Sequence, residues 1–430
     1  MMFETIRKKL AALSCDGWEL TETTKRGWEF YMIRHALDQN RAVDVKTFEV
    51  KLYRALDGGK FLGSASGEIS PTASENEIDA VLDALLFQAG LVKNPAYTLA
   101  DTPVDVPDKT EPVDVEAIAE DFIRAFRAVE ETETEDINSY EIFVSSITRH
   151  TLNSNGVEYT CTYPSSTIDL VVNARRDGHE IELYRFLTSG TCDAEKLKRD
   201  VADALHFGRD RLIAVPTPKL QSSAVILSTA DACEVYDYFV ARMSAGFKVR
   251  RISDWEIGKP VCEDVTGDAI TVKAVSSLRN SSKDFPVDSE GCVIRDRYLI
   301  RDGVAENFWG SRQFSEYLGL KDSSMVHNVI VSGGSKSAGE IRSGDYLEVV
   351  EFSDFQVSPM GGDIAGEIRL AYWHHNGETT VVTGGSVTGN MAAAARTMTF
   401  SRETAQYDTL VIPAVTRLEN LQITGVAERD

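Results

Sequence analysis

The chain has 430 residues, too many for one ordinary core, so two to four domains are expected. Its 45 Lys and Arg against 67 Asp and Glu give a formal charge of -22, which argues against a phosphate-tracking surface. Nucleic acid and anionic membrane are therefore excluded as expected partners, and no apolar run is long enough to predict a membrane-spanning helix.

The opening "MMFETIRKKLAALSCDGWEL" has basic residues before a short apolar run that Ser14, Cys15 and Asp16 break up, which is too weak for a signal peptide. Residues 3–13 have the spacing of an amphipathic helix. The chain then repeats itself. "RHALDQN" at 34–40 returns as "RHTLNSN" at 149–155, and "FEVKLYRALDGGKFLGSASGEIS" from Phe48 lines up with "IDLVVNARRDGHEIELYRFLTSG" from Ile168. The second alignment sets Asp57-Gly58 on Asp177-Gly178, so each copy reads as strand, Asp-Gly turn, strand. A helix follows in each, with Ile78, Leu82 and Leu86 in one and Leu197, Val201 and Leu205 in the other. Ser74 and Glu77 form a capping box at the first, and the second copy opens with its own helix over 115–129.

Between the copies, "KNPAYTLADTPVDVPDKTEPVD" is acidic and proline-rich, and reads as a linker unable to order itself. A second break falls at Pro216 and Pro218. One helix follows, capped by Ser228 and stopped at Gly246, with Cys233, Tyr236, Val240 and Met243 on one face. Beyond it strands and glycine turns dominate. The expected fold class is α+β: duplicated N-terminal α/β units with antiparallel sheets, at 1–93 and 115–218, joined by a linker at 94–114, then a β-rich C-terminal domain at 219–430.

Six scattered cysteines (Cys15, Cys161, Cys192, Cys233, Cys262 and Cys292) form no C-x-x-C pair, which suits reduced thiols in a cytoplasmic protein. Asp288 and Glu290, two apart before Gly291, could divide acid and base roles, or form a solvated turn. Cys292 could be a nucleophile or a small buried thiol. "SGGSKSAGE" at 332–340 lacks the Lys-Ser or Lys-Thr of a phosphate loop and reads as a glycine turn. His374 and His375 are adjacent on a predicted strand, so they point to opposite faces and cannot share an ion. They precede Asn376-Gly377, a hairpin turn, and no H-E-x-x-H pair occurs.

Taken in order, the motifs of the C-terminal segment resemble those of the TldD/PmbA family, whose members are called modulators of DNA gyrase. "VDSEGC" resembles the family's D-x-E-G element, carried by Asp288, Glu290 and Gly291, with "DRYLIRDGV" as the strand after it. "HNVIVSGGSKSAGEI" carries Asn328, Gly334, Glu340 and Ile341 of an N-x(5)-G-x(5)-E-I stretch. Gly362, Asn376 and Gly377 match a glycine-initiated strand ending in a turn, and "TGN", ending at Asn390, matches a G-N turn; "NSNG" at 153–156 resembles an N-S-x-G. "WGSRQFSEYLGLKDSSMVHN" departs from the family, lacking its glycine-asparagine-arginine run.

The resemblance implies a division of labour. TldD-type subunits carry H-E-x-x-x-H on the first helix of the C-terminal domain and act as zinc peptidases on unfolded peptides. At that helix this chain reads "STADACEVYDYFVARMSAG", without histidine. It therefore resembles the TldE/PmbA type: no metal or cofactor of its own, zinc only in a TldD-like partner, and unfolded peptide as substrate. A homodimer is the other partner expected. The competing readings are a stand-alone homo-oligomeric peptide-binding or regulatory protein, and a metal-independent hydrolase using Asp288, Glu290 or Cys292.

Overall fold

The computed structural model describes residues 2–321 and 323–426. Helix α1 (Met2–Ala12) buries Phe3, Ile6 and Leu10 on one stripe, as an i, i+3, i+7 pattern dictates. Strands β1 (Gly17–Ile33), β2 (Ala36–Leu56) and β3 (Phe61–Ile69) follow, then α2 (Glu75–Ala89), whose start is fixed by the Ser74–Glu77 capping box. The two-residue β4 (Asn94–Pro95) leads to the second unit: α3 (Val115–Arg127), β5 (Glu135–Asn153), β6 (Glu158–Arg176), β7 (His179–Ser189) and α4 (Ala194–Arg211).

The two units share one antiparallel sheet of order β4-β3-β2-β1-β5-β6-β7. β1 and β5 pair from Glu19↔Asn153 to Ile33↔Ser139 at its centre. Their hairpins are in the same register, Gly27↔Val43 in one and Ile147↔Tyr163 in the other, the sequence separation that also relates Asp57 to Asp177. Both aspartates and the glycines after them have positive φ, the conformation the Asp-Gly turn needs. Gly27 lies near the centre, where an added Cβ would stand 1.9 Å from Val144 O, so no side chain fits. The "RHALDQN" and "RHTLNSN" match is not a structural equivalence. Arg34-His35 begins on the β1–β2 turn, whereas Arg149 lies well inside β5, before the β5–β6 turn.

The linker is ordered. Alone it has too little apolar surface, but it docks: Tyr97, Leu99 and Ala100 are buried, β4 pairs with β3, and Lys109 bridges in parallel to Cys161. Asn153 Nδ2 donates to Ala100 O at 2.7 Å and helps fix it there.

The C-terminal region is β-rich, as expected. A six-stranded sheet ends on the strand Thr404–Tyr407. An eight-stranded sheet curls on itself, because Tyr346–Val357 pairs with both Leu220–Leu227 and Asp363–His375. α5 (Cys233–Arg242) contributes Val235, Tyr236 and Phe239 to the core joining both sheets. Its start differs from expectation. Ser228 Oγ donates to Glu348 Oε1 at 2.6 Å, and a 3-10 turn over Ala230–Ala232 opens the helix without a side-chain cap. Gly246 is not the stop either, since it lies inside α6 (Ala245–Val249), capped by Ser244. Among the described residues no helix is long and apolar enough to cross a membrane.

Candidate functional site

Two places concentrate polar chemistry: a buried junction between the N-terminal sheet and the C-terminal region, and an open groove.

At the junction, Asp288 is 1% exposed. Its Oδ1 accepts from the backbone N–H of Glu290 at 3.0 Å and Cys292 at 2.9 Å, and its Oδ2 from Met325 N–H at 2.9 Å. Burial pushes its pKa up to about 6, and those donors oppose the shift. Gly291, at φ 81°, closes the turn; a Cβ there would lie 2.7 Å from Val157 Cγ1. Glu290 Oε2 accepts the N–H of Arg312 at 2.7 Å, at the first residue of α7 (Arg312–Tyr317). Burial, and then the Asp288 and Glu290 carboxylates, push the Cys292 thiol well above its ordinary range, so it is held protonated. The D-x-E-G element thus builds a turn and seats a helix.

Residues from the first unit complete this junction. Tyr53 OH donates to Glu19 Oε1 at 2.9 Å, and Lys51 Nζ lies 4.0 Å from Glu19 Oε2 and 3.9 Å from Glu290 Oε1. Burial raises Glu19 to about 7; Lys51 opposes the rise and Glu290 adds to it. Tyr97 stands edge-on to both Tyr53 and Tyr317, and Thr98 donates from N and Oγ1 to Glu316 Oε2. Sequence reading missed Glu19, Lys51, Tyr53 and Tyr97. The one available signal was a carboxylate and a lysine placed on strands that otherwise bury leucine and valine.

The other motif positions build turns and helix starts. Asn328, 1% exposed, accepts from Ser281 Oγ at 2.6 Å and donates to Lys283 O at 2.9 Å. Gly334 approaches Phe400 O so closely that a Cβ would be 2.2 Å away. Glu340 closes a capping box with Ser337. Gly362, at φ 76°, lies beside Asn390, which caps the helix Met391–Ala394. Asn376 and Gly377 form the expected hairpin turn, both at positive φ. His374 stacks on Tyr346 and shares a hydrogen bond with Thr379, whereas His375 stacks on Trp373 and pairs with Asp345 Oδ2 at 2.7 Å.

The groove, about 680 Å³, lies between two sheets. One wall is the outer edge of β7 at Phe186–Ser189 with the start of α4; the other is the edge strand Thr404–Tyr407. Lys196 and Arg199 line it from α4, with Arg279 and Asp408 opposite. Ala230, just before α5, forms part of the lining. Among the described residues no three His, Cys, Asp or Glu side chains gather to hold a metal, and none of the chain's seven histidines is on α5, so the residues present do not fit zinc.

Residues 221–425 match the family described as the PmbA/TldA metallopeptidase C-terminal domain. No curated protein sequence matches the chain significantly. TldE from Thermococcus kodakarensis has the same fold, with TM-score 0.77 at 17% identity, over 99% of this chain and 100% of that one. Two proteins titled modulators of DNA gyrase share it as well. The one from Thermotoga maritima has TM-score 0.75 and 14% identity, over 98% of this chain and 100% of its own. The one from Bacteroides thetaiotaomicron has TM-score 0.77 and 15% identity, over 99% and 98%. Residues 221–425 thus form a domain of the PmbA/TldA metallopeptidase C-terminal family, set in a fold shared over nearly the whole chain.

Proposed function

We propose that the chain is the non-metal subunit of a cytoplasmic TldD/TldE-type peptidase, holding extended, unfolded peptide for a metal-bearing partner. The observation that carries this reading is the groove: two strand edges facing one channel offer backbone hydrogen bonds to a peptide regardless of its sequence. The lining is mixed in charge, with Lys196, Arg199 and Arg279 among Asp193, Asp200 and Asp408, which suits a substrate selected by extension rather than by composition. With no set of metal ligands among the described residues, this reading assigns carbonyl polarisation and hydroxide formation to the partner. A metal-independent hydrolase has less support, because Asp288 is occupied by three backbone donors and Cys292 is held as a thiol.

The test is cleavage of an unfolded polypeptide by the purified chain, alone and mixed with a metal-bearing relative from the same genome, with and without chelator. Activity is expected only in the mixture and is expected to be lost to chelator. Chelator-resistant cleavage by the chain alone would overturn the proposal.

A further inference from the structure

Both strands that wall the groove stop at one place. β7 ends at Ser189 and the opposite edge strand at Tyr407, and the turn carrying Arg279 and Asn280 ties the two ends together. On the β7 side, Asn280 O accepts from Gly190 N–H at 2.8 Å and Asn280 Oδ1 from Thr191 N–H at 2.7 Å. On the other side, Gln406 Nε2 donates to Arg279 O at 2.8 Å, and Asp408 accepts the N–H and the hydroxyl of Ser282 at 2.7 and 2.6 Å. The groove therefore has a bridged end, and Arg279 stands in the bridge.

The charges along the groove are not equally available to a ligand. Asp193 Oδ1 accepts the Lys196 N–H at 3.0 Å as the cap of α4. Lys196 Nζ donates to Asp200 Oδ2 at 2.6 Å and lies 5.4 Å from the centre of the Tyr407 ring. With Asp408 holding Ser282, each lining acid has a partner within the chain, and so does the lysine. Arg199 and Arg279 do not. Both are exposed, and among the described residues neither guanidinium has a hydrogen bond or an ion pair; Arg199 feels Asp203, one turn on along α4, only through space. In a chain of net charge -22, two guanidiniums left over in one groove are a specific feature.

We propose that the bridged end is a subsite for the C-terminal carboxylate of the bound peptide, held by Arg279 from the bridge and Arg199 from α4. The last residue of the peptide then lies beside Ser189 and Tyr407. A guanidinium fork meets a carboxylate with two parallel hydrogen bonds. Where neither wall strand continues, the backbone ladder that an added strand needs also stops, so a chain terminus fits there and a continuing chain does not. Every peptide has one such terminus, so the anchor sets the direction of binding and leaves composition unread. This hold rests on the peptide lying in the groove and adds which of its ends is gripped.

The test is binding by the purified full chain, followed by fluorescence anisotropy, of an N-terminally labelled octapeptide of Ser, Thr and Val, made as the free acid and as the C-terminal amide. The free acid is expected to bind at least about tenfold more tightly. Arg279→Gln and Arg199→Gln are each expected to weaken the acid at least about fivefold and to leave the amide unchanged, a difference that misfolding would not produce. Equal binding of the two forms to the native chain would overturn the terminal anchor and leave the groove as a peptide site, whereas binding of neither would overturn both. A preference for the acid that survives both substitutions would also overturn the anchor. So would an amidated peptide ending in Glu that binds as tightly as the free acid, because a side chain would then be what the arginines hold.

Discussion

Glu19 on β1 and Glu290 in the C-terminal region lie on either side of one cation, with Lys51 Nζ 4.0 Å from the first carboxylate and 3.9 Å from the second. A buried acid and a half-buried one with a single base between them leave the junction short of positive charge. Burial, with the Glu290 carboxylate adding to it against Lys51, raises the pKa of Glu19 to about 7, so a proton there offsets the shortfall.

Stability should therefore depend on pH in a direction opposite to that of a salt-bridged acid. The folded value lies above the unfolded one, so the Glu19 contribution is complete below the ordinary carboxylate value of 4.5 and is lost as pH rises through about 7. The shift corresponds to a loss on the order of 3 kcal/mol at most. Urea midpoints of the native chain should fall between pH 5.5 and 8, and Glu19→Gln, which keeps an acceptor for Tyr53 OH, should flatten much of that slope. Asp288, Asp231 and Asp237, each raised to about 6 by burial, add to the slope at its acid end. An unchanged slope in Glu19→Gln would show that the proton is held elsewhere.

Asp288→Asn tests the clasp. An amide retains one acceptor oxygen for Glu290 and Cys292 but turns N–H donors toward Met325 N–H, leaving a buried donor unpaired. A loss of about 1–3 kcal/mol is expected in denaturant titration. Cys292→Ala should leave cleavage by the two-subunit mixture within about twofold, since a thiol this far from ionisation is no nucleophile. Loss of activity in a folded Cys292→Ala protein would revive the hydrolase reading.

Gly291→Ala combines a left-handed backbone with a contact at 2.7 Å to Val157 Cγ1. It should cost about 1–3 kcal/mol. In the double-mutant cycle Val157→Ala should recover the steric part alone, which separates contact from backbone strain. Strict additivity would mean that the two side chains do not meet.

Thr188→Trp fills the groove from the β7 wall without entering either core. Capture of an unfolded peptide should weaken at least about tenfold, while stability changes by less than about 1 kcal/mol. Undiminished capture would place the peptide elsewhere.

Local chemistry was legible in the sequence where it decided structure by itself. The Asp57 and Asp177 turns, the Ser74 cap, the helical stripes and the Asn376-Gly377 hairpin all follow from a few adjacent residues. Ser228 misled because its hydroxyl prefers Glu348, a partner far along the chain, to the nearby helix end. Proline and acid in residues 94–114 correctly signal a segment without its own core, but not that Tyr97 and Leu99 would borrow one. Neither the junction nor the groove was visible, for a common reason. Glu19 meets Glu290, and Phe186 faces Thr404, only after the order of strands in two sheets has been fixed by long-range pairing.

The central β1–β5 pair has a consequence for the order of events during synthesis. β1, β2 and β3 can form as soon as they are made, but β1 then presents an unfinished edge until β5 appears about a hundred residues later. At roughly 5–20 residues per second that interval is on the order of ten seconds. Through that interval the nascent hairpin carries an edge shaped to accept a strand, with Gly27 leaving its backbone bare. Closure is bound to be slow, because it joins segments far apart in the chain. The ribosome-bound intermediate, rather than the finished protein, is therefore the state in which this sequence is most exposed to pairing with the wrong strand.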